Sequence, residues 1–304
     1  MEYYLYICHI ILRQNILTAT KNQQAMHKPL QPKPNHAINH IIKTIKKRTD
    51  VIAIYCFAYQ ETCSETDSLF KTERNTVNES QHYWLLVIVN DIPLNFTADI
   101  IDTVSKRSSG SCTITPIFYT ATELSELTIN QRCFIHRITT GGQEIYRKEG
   151  LMPMEWTVGP VGDLEAADKR WRYHKYTAIS LLEAEAAVEN PNGEAVQVVL
   201  LHAAMEHLCL GLVAVLLGHR PRHFALGYLL SLCACAADFA YEIFPLVSHD
   251  DQRLLKTLSA SMNTLRYRKT KSPSITDVEI LRRRAHDFKE KVMALAEERT
   301  GAIV

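Results

Sequence analysis

The chain has 304 residues, 46% of them hydrophobic and 22% charged, with a formal net charge of +1. These are ordinary globular values for about two domains of roughly 100–200 residues each, and they exclude a global field for bulk nucleic-acid binding while leaving a local basic groove open. Eight cysteines form no CxxC pair, which argues against a zinc ribbon or a thioredoxin-type site and for small buried hydrophobes in a reducing cytosol.

The N-terminal run Tyr3 to Leu12 is apolar, but it has an acidic residue ahead of it and no small-residue cleavage site, so it makes a poor signal peptide. A proline-rich break, Lys28 to Pro34, closes this extension. Helical spacing of Ala37, Ile38, Ile41, Ile42 and Ile45 predicts a helix over Asn35 to Arg48. Val51 to Phe57 is a β-branched and aromatic run and predicts a buried strand. Residues 60–81 are polar and predict a long flexible loop. Tyr83 to Val89 predicts a second strand, Phe96 to Ser105 a helix, Cys112 to Tyr119 a third strand, Thr122 to Arg137 a helix and Gln143 to Tyr146 a short edge strand. Pro153, Gly159, Pro160 and Gly162 then mark a linker.

Everything after the linker has helical patterning. Helices are predicted from Leu164 to about Val188, from Glu194 to Leu217 with a stop at Gly218, from His223 to Phe239, and after Ser248 with Asp251 completing an N-terminal box. A fifth runs from Thr276, with Glu279 in its box, to about Arg299. Short connections predict an up-and-down bundle. The longest apolar stretches, Leu208 to Gly218 and Phe224 to Ala237, fall short of a bilayer span of about 20 residues.

The second of these helices carries His202, Glu206 and His207 in an otherwise apolar wall. Buried polar groups need partners, so this seam is either a satisfied core network or the floor of a binding groove. Its His-x-x-x-Glu-His order has neither metalloprotease spacing, and no metal site is expected. Arg220, Arg222 and His223 cluster before the third helix, and Arg266, Arg268, Lys269 and Lys271 follow the fourth. Such clusters are solvated loops or, if they flank the seam, seats for an anion, since guanidinium forks suit phosphate. Arg282-Arg283-Arg284 reads as an exposed basic face.

The stretch from Leu200 through Glu206 to Gly218-His219-Arg220-Pro221-Arg222-His223, with Ser261 to Tyr267 after it, resembles the HEPN family over roughly 164–298. In that family a helix with His and Glu one turn apart ends in glycine, a Pro and a His open the next helix, and an "AR-Tyr" segment follows. Leu265 stands here for that segment's usual small residue. The front half resembles the minimal nucleotidyltransferase often fused to HEPN. That resemblance implies a Gly-Ser turn, an Asp-x-Asp pair and a third acid, which hold divalent metal. The corresponding positions here are Ala58-Tyr59, His82-Tyr83-Trp84 and Thr113-Ile114-Thr115, none acidic. The Arg-x(4–6)-His motif of HEPN ribonucleases is also absent; Arg132–His136, Arg170–His174 and Arg282–His286 have only three residues between.

The sequence therefore predicts an α+β protein: an N-terminal extension (1–34), a small mixed-sheet, degenerate nucleotidyltransferase-like domain (35–150), a linker (151–163) and an all-α, HEPN-like up-and-down bundle (164–300). The function expected is non-catalytic nucleotide or RNA binding by a cytoplasmic bacterial pseudoenzyme, with no catalytic residues, metal or cofactor and no membrane partner. A homodimer through the helical domain is the expected assembly. The expected ligand contacts are His202, Glu206, Arg220, His223, Arg266, Tyr267 and Arg268. Two alternatives stay open: a divergent nucleotidyltransferase or HEPN ribonuclease of a toxin–antitoxin or defence system, and a protein–protein scaffold.

Overall fold

The computed structural model describes residues 36–66, 76–152, 159, 161–189, 193–245, 248–260, 266 and 273–301, with backbone alone for 62–66 and 76–79. The expectations for the N-terminal extension, the "AR-Tyr" segment and most of the basic run after it lie outside these residues.

Helix α1 (His36–Lys46) buries Ile38, Ile41 and Ile45, the stripe that its spacing set. Strands β1 (Val51–Thr66) and β2 (Thr76–Val89) form one antiparallel ribbon whose ladder extends to Thr66 opposite Thr76. The loop expected over 60–81 is thus mostly strand. Polar composition does not exclude strand, because a ribbon is held by main-chain N–H and C=O groups whatever its side chains are. Helix α2 (Phe96–Arg107) returns the chain so that β3 (Cys112–Thr120) pairs parallel to β2. The helix expected over Thr122 to Arg137 is two helices, α3 (Ala121–Ser125) and α4 (Ile129–Gly141). A fresh N-terminus interrupts it, with the Thr128 N–H donating to Gln131 Oε1 at 3.1 Å. Strand β4 (Gln143–Arg147) covers the free edge of β1, giving a four-stranded mixed sheet in the order β3-β2-β1-β4.

The helical half holds α5 (Leu164–Ala186), α6 (Glu194–Leu216), α7 (Leu226–Ala234), α8 (Phe239–Ile243), α9 (His249–Ser259) and α10 (Ile275–Thr300). The single helix expected from His223 to Phe239 is α7 followed by a break and α8. That break turns Phe239 and Phe244 onto Phe288 of α10, with ring centroids 5.6 and 6.1 Å apart. The last helix is capped by Ser274, which accepts from the Asp277 N–H at 3.1 Å, in place of the expected Thr276–Glu279 box.

Helix α6 is the hub, in contact with α5, α7, α9 and α10. By length and composition its 23 residues could cross a membrane, but more than half of its apolar window is buried in the bundle. Gly211 lets α5 approach closely, since a Cβ there would stand 2.7 Å from the Trp171 ring.

Both faces of the sheet are covered, which is why β2 reads as a continuous apolar run rather than an alternating one. Tyr83, Leu85, Val87 and Val89 pack with Ile41, Ile45, Ile100 and Val104 of α1 and α2. Leu86, Ile88, Ile117 and Tyr119 face the other way and join a core that runs through α4 into Leu201, Met205, Leu208 and Leu212 of α6. One hydrophobic core therefore extends from the sheet into the bundle.

The run Arg282–Arg284 is not simply a solvated face, as expected. The Arg282 guanidinium makes bonds of 2.7 and 3.0 Å to Glu185, which is fully buried, and Arg284 pairs with Asp251. Two of the three arginines stitch α10 to its neighbours.

Candidate functional site

The register lines up the three segments that the sequence resemblance singled out. Ala58 of β1 stands opposite Trp84 of β2, and Trp84 opposite Thr115 of β3. His82 stands opposite Thr113, one step along the same face. Strand alternation sends residues 82 and 84, with 113 and 115, toward the helical half.

There they close on one another. The His82 Nδ1 lies 2.7 Å from Thr113 Oγ1, and its Nε2 lies 2.9 Å from Thr115 Oγ1 and 3.1 Å from Ser231 Oγ of α7. Thr115 and Ser231 also share a hydrogen bond. The Trp84 indole N–H donates to the Ser231 carbonyl at 2.7 Å, and the Tyr228 hydroxyl donates to the Pro116 carbonyl at 3.0 Å. Burial pushes the His82 pKa down to about 4, so the ring is neutral at physiological pH. The result is a neutral polar joint between sheet and bundle, with both nitrogens of its histidine engaged.

Beside the joint opens a cleft of about 510 Å³ lined by Tyr59, Gln60, Trp84, Asp238, Tyr241 and Glu242, among others. Among the described residues its charged lining is two carboxylates and no cation, the wrong sign for a polyphosphate without a metal between them.

A second cleft, about 340 Å³, sits past the carboxyl ends of β2 and β3 and is lined by Asp91, Thr120, Glu123, Arg222, His223 and neighbours. Crevices outside the carboxyl ends of parallel strands are common ligand sites. His219 forms part of its wall, with Nδ1 2.9 Å from the Tyr119 hydroxyl and its ring stacked on Phe134. Burial, and then the Arg222 charge, take the His219 pKa down to about 3. Arg222 is ion-paired with Glu123, which compensates its charge locally.

The expected contact residues are not all in one place. His223 lines the second cleft and is half-buried, edge-on to Tyr228. His202 is turned inward: its Nδ1 is 3.0 Å from the Leu258 carbonyl at the end of α9, and its Nε2 is 3.8 Å from Glu206. One ring nitrogen of His202 is thus engaged within the fold. Arg220 and Arg266 are exposed. Tyr267 and Arg268 lie outside the described residues. His207, the third member of the seam, meets His174 of α5 with Nδ1 atoms 2.9 Å apart, a pairing that sequence spacing could not show. Ser231 was also missed, because a serine within Leu229-Leu230-Ser231-Leu232 carries no signal of the distant strand that it bonds.

No protein-family model matches the chain, and no curated protein does. Among solved structures, a nucleotidyltransferase-like protein from Exiguobacterium sibiricum is similar at 12% identity, over 86% of this chain and 74% of that one, with a TM-score of 0.25. An overlap that low does not by itself assign a fold.

Proposed function

We propose that this is a non-catalytic nucleotide- or RNA-binding protein, a nucleotidyltransferase-like half (35–150) joined through 151–163 to a HEPN-like helical half (164–300). The observation that carries the non-catalytic part is the His82 joint. Neutral residues bonded to Ser231 occupy the positions where the resemblance requires carboxylates. Transfer of a nucleotidyl group needs hard oxygen ligands for divalent metal. An imidazole and threonine hydroxyls bonded to one another, beside an indole that donates to the Ser231 carbonyl, are poor substitutes.

Support for an anionic ligand comes from cations in the helical half. Arg220 has no ion-pair partner among the described residues, and His223 opens onto the cleft past β2 and β3. Phosphate oxygens accept charge-assisted bonds from such donors. The free thiols of Cys56, Cys112, Cys133, Cys209, Cys233 and Cys235 support a reducing, cytoplasmic setting, and we expect a homodimer through the helical half.

A divergent nucleotidyltransferase is the second reading, favoured by Asp238 and Glu242 in the cleft beside Trp84. Label transfer from nucleoside triphosphates with Mg²⁺ or Mn²⁺, and low-salt binding of nucleotides and short RNA, decide between the two. Binding without transfer supports the proposal; transfer lost on Asp238→Asn and Glu242→Gln supports the second reading. Neither binding nor transfer leaves a protein–protein scaffold.

A further inference from the structure

The first turns of α5 read Lys169-Arg170-Trp171-Arg172-Tyr173-His174-Lys175-Tyr176, cations interleaved with aromatics. Trp171 is a core residue at 2% exposure, but Tyr173 and Tyr176 are 64% and 61% exposed. Three helical residues advance about 4.5 Å and turn the side chain by about 60°, so both phenol rings leave α5 on one side. Two large rings exposed on one side of a helix offer a surface that a partner can cover.

Tyr173 is braced. Its ring lies edge-on to His174 at 5.2 Å and to His207 of α6 at 6.1 Å, and those imidazoles are hydrogen-bonded to each other at 2.9 Å. A ring held by two aromatic neighbours, with most of its surface in solvent, can serve as a stacking platform.

The charges around it are partly uncompensated. Arg172 is tied to Asp168 at 2.7 Å and Lys175 to Glu297 at 2.6 Å. Lys169, Arg170 and Arg220 have no ion-pair partner among the described residues. Arg170 is half-buried, and burial, then the Arg220 charge, lower its pKa. Guanidiniums without a carboxylate partner are suited to bond phosphate oxygens.

We infer that this face of α5 docks single-stranded nucleic acid: Tyr173 and Tyr176 stack neighbouring bases while Lys169, Arg170 and Arg220 bond to phosphates. The inference rests on the nucleotide- or RNA-binding reading above and gives it a site and a ligand form. A duplex hides its base faces, whereas an unpaired strand offers them at every step, so stacking on exposed rings selects single strands.

The test is fluorescence anisotropy of a labelled oligouridine, its duplex with oligoadenosine, and a labelled mononucleotide at low salt, with melting curves to check folding. Tyr173→Ala/Tyr176→Ala is expected to weaken the single strand by roughly tenfold per ring, and the double Phe variant to keep its affinity. Arg170→Ala/Arg220→Ala is expected to flatten the salt dependence by about 0.7 in log–log slope for each phosphate no longer neutralised. If the wild type binds the oligonucleotide and both double variants bind equally well, the α5 face is wrong while the binding reading stands. Duplex bound as tightly as the single strand also overturns the stacking claim. No binding of oligonucleotide or mononucleotide removes both. A dimer in sedimentation that dissociates on Tyr173→Ala/Tyr176→Ala assigns the face to a second copy of the chain instead.

Discussion

Ser231→Ala probes the joint with the smallest change. It deletes one hydroxyl, which lies 3.1 Å from His82 Nε2 and is also bonded to Thr115. The backbone carbonyl that accepts from Trp84 is kept, so α7 retains that anchor. Ser231 is only 5% exposed, and water has little access to replace the missing group. Each hydrogen bond contributes about 0.5–1.5 kcal/mol net, so the two together set a loss of about 1–3 kcal/mol. At about 2.1 cal/mol/K of unfolding entropy per residue, a cooperative unit of this size loses about 1.5–2 °C of Tm per kcal/mol, giving a drop of roughly 1.5–6 °C by calorimetry. The hydroxyl acts in a network with Thr115, so Ser231→Ala/Thr115→Val should cost less than the sum of the single changes. An unchanged Tm, or strict additivity, would refute the reasoning.

Acid should destabilise the fold in a defined window. Burial lowers the folded-state pKa of His82 to about 4; burial, then His207 and Arg170, do the same for His174. The unfolded chain takes up protons near the ordinary value of 6.5, so this stability is present above 6.5 and lost as pH falls toward 4. Urea midpoints should drop across that range, and less so in His82→Gln; a flat profile would count against the buried neutral rings. Arg282→Ala should cost about 3–5 kcal/mol because it strands the buried Glu185 carboxylate, whereas Arg282→Met/Glu185→Leu should be nearly neutral; equal losses in chemical denaturation would contradict this. Protease cleavage within 151–163 should leave two fragments that co-elute on a sizing column, since the sheet and α6 share a core; fragments that separate without denaturant would contradict that packing.

The parts of the fold that were legible in the sequence are those fixed by periodicity and capping. The stripe Ile38-Ile41-Ile45, the apolar run of β2, and Ser248 at the start of α9 each reappear where their patterns put them. Composition misled where the backbone alone decides. The polar ends of β1 and β2 pair through their main chains, and nothing in their side chains announces it. The register sets Ala58, Trp84 and Thr115, residues the sequence reading singled out, in one row. Their partner was not readable, because Ser231 lies 149 positions from His82 and meets it only after the bundle docks. The seam on α6 carried a true signal of polar pairing, but its His202 points to the Leu258 carbonyl, and the most exposed cation–aromatic pattern lay on α5 instead.

The central claim, ligand binding without chemistry, is tested most directly by one incubation. Labelled single-stranded RNA is mixed with the full chain, Mn²⁺ and unlabelled nucleoside triphosphates at low salt. The mixture is resolved in parallel on native and denaturing gels. The account predicts a shifted band on the native gel and RNA of unchanged length on the denaturing gel. Extended or cut RNA, or the absence of any shift, would contradict it.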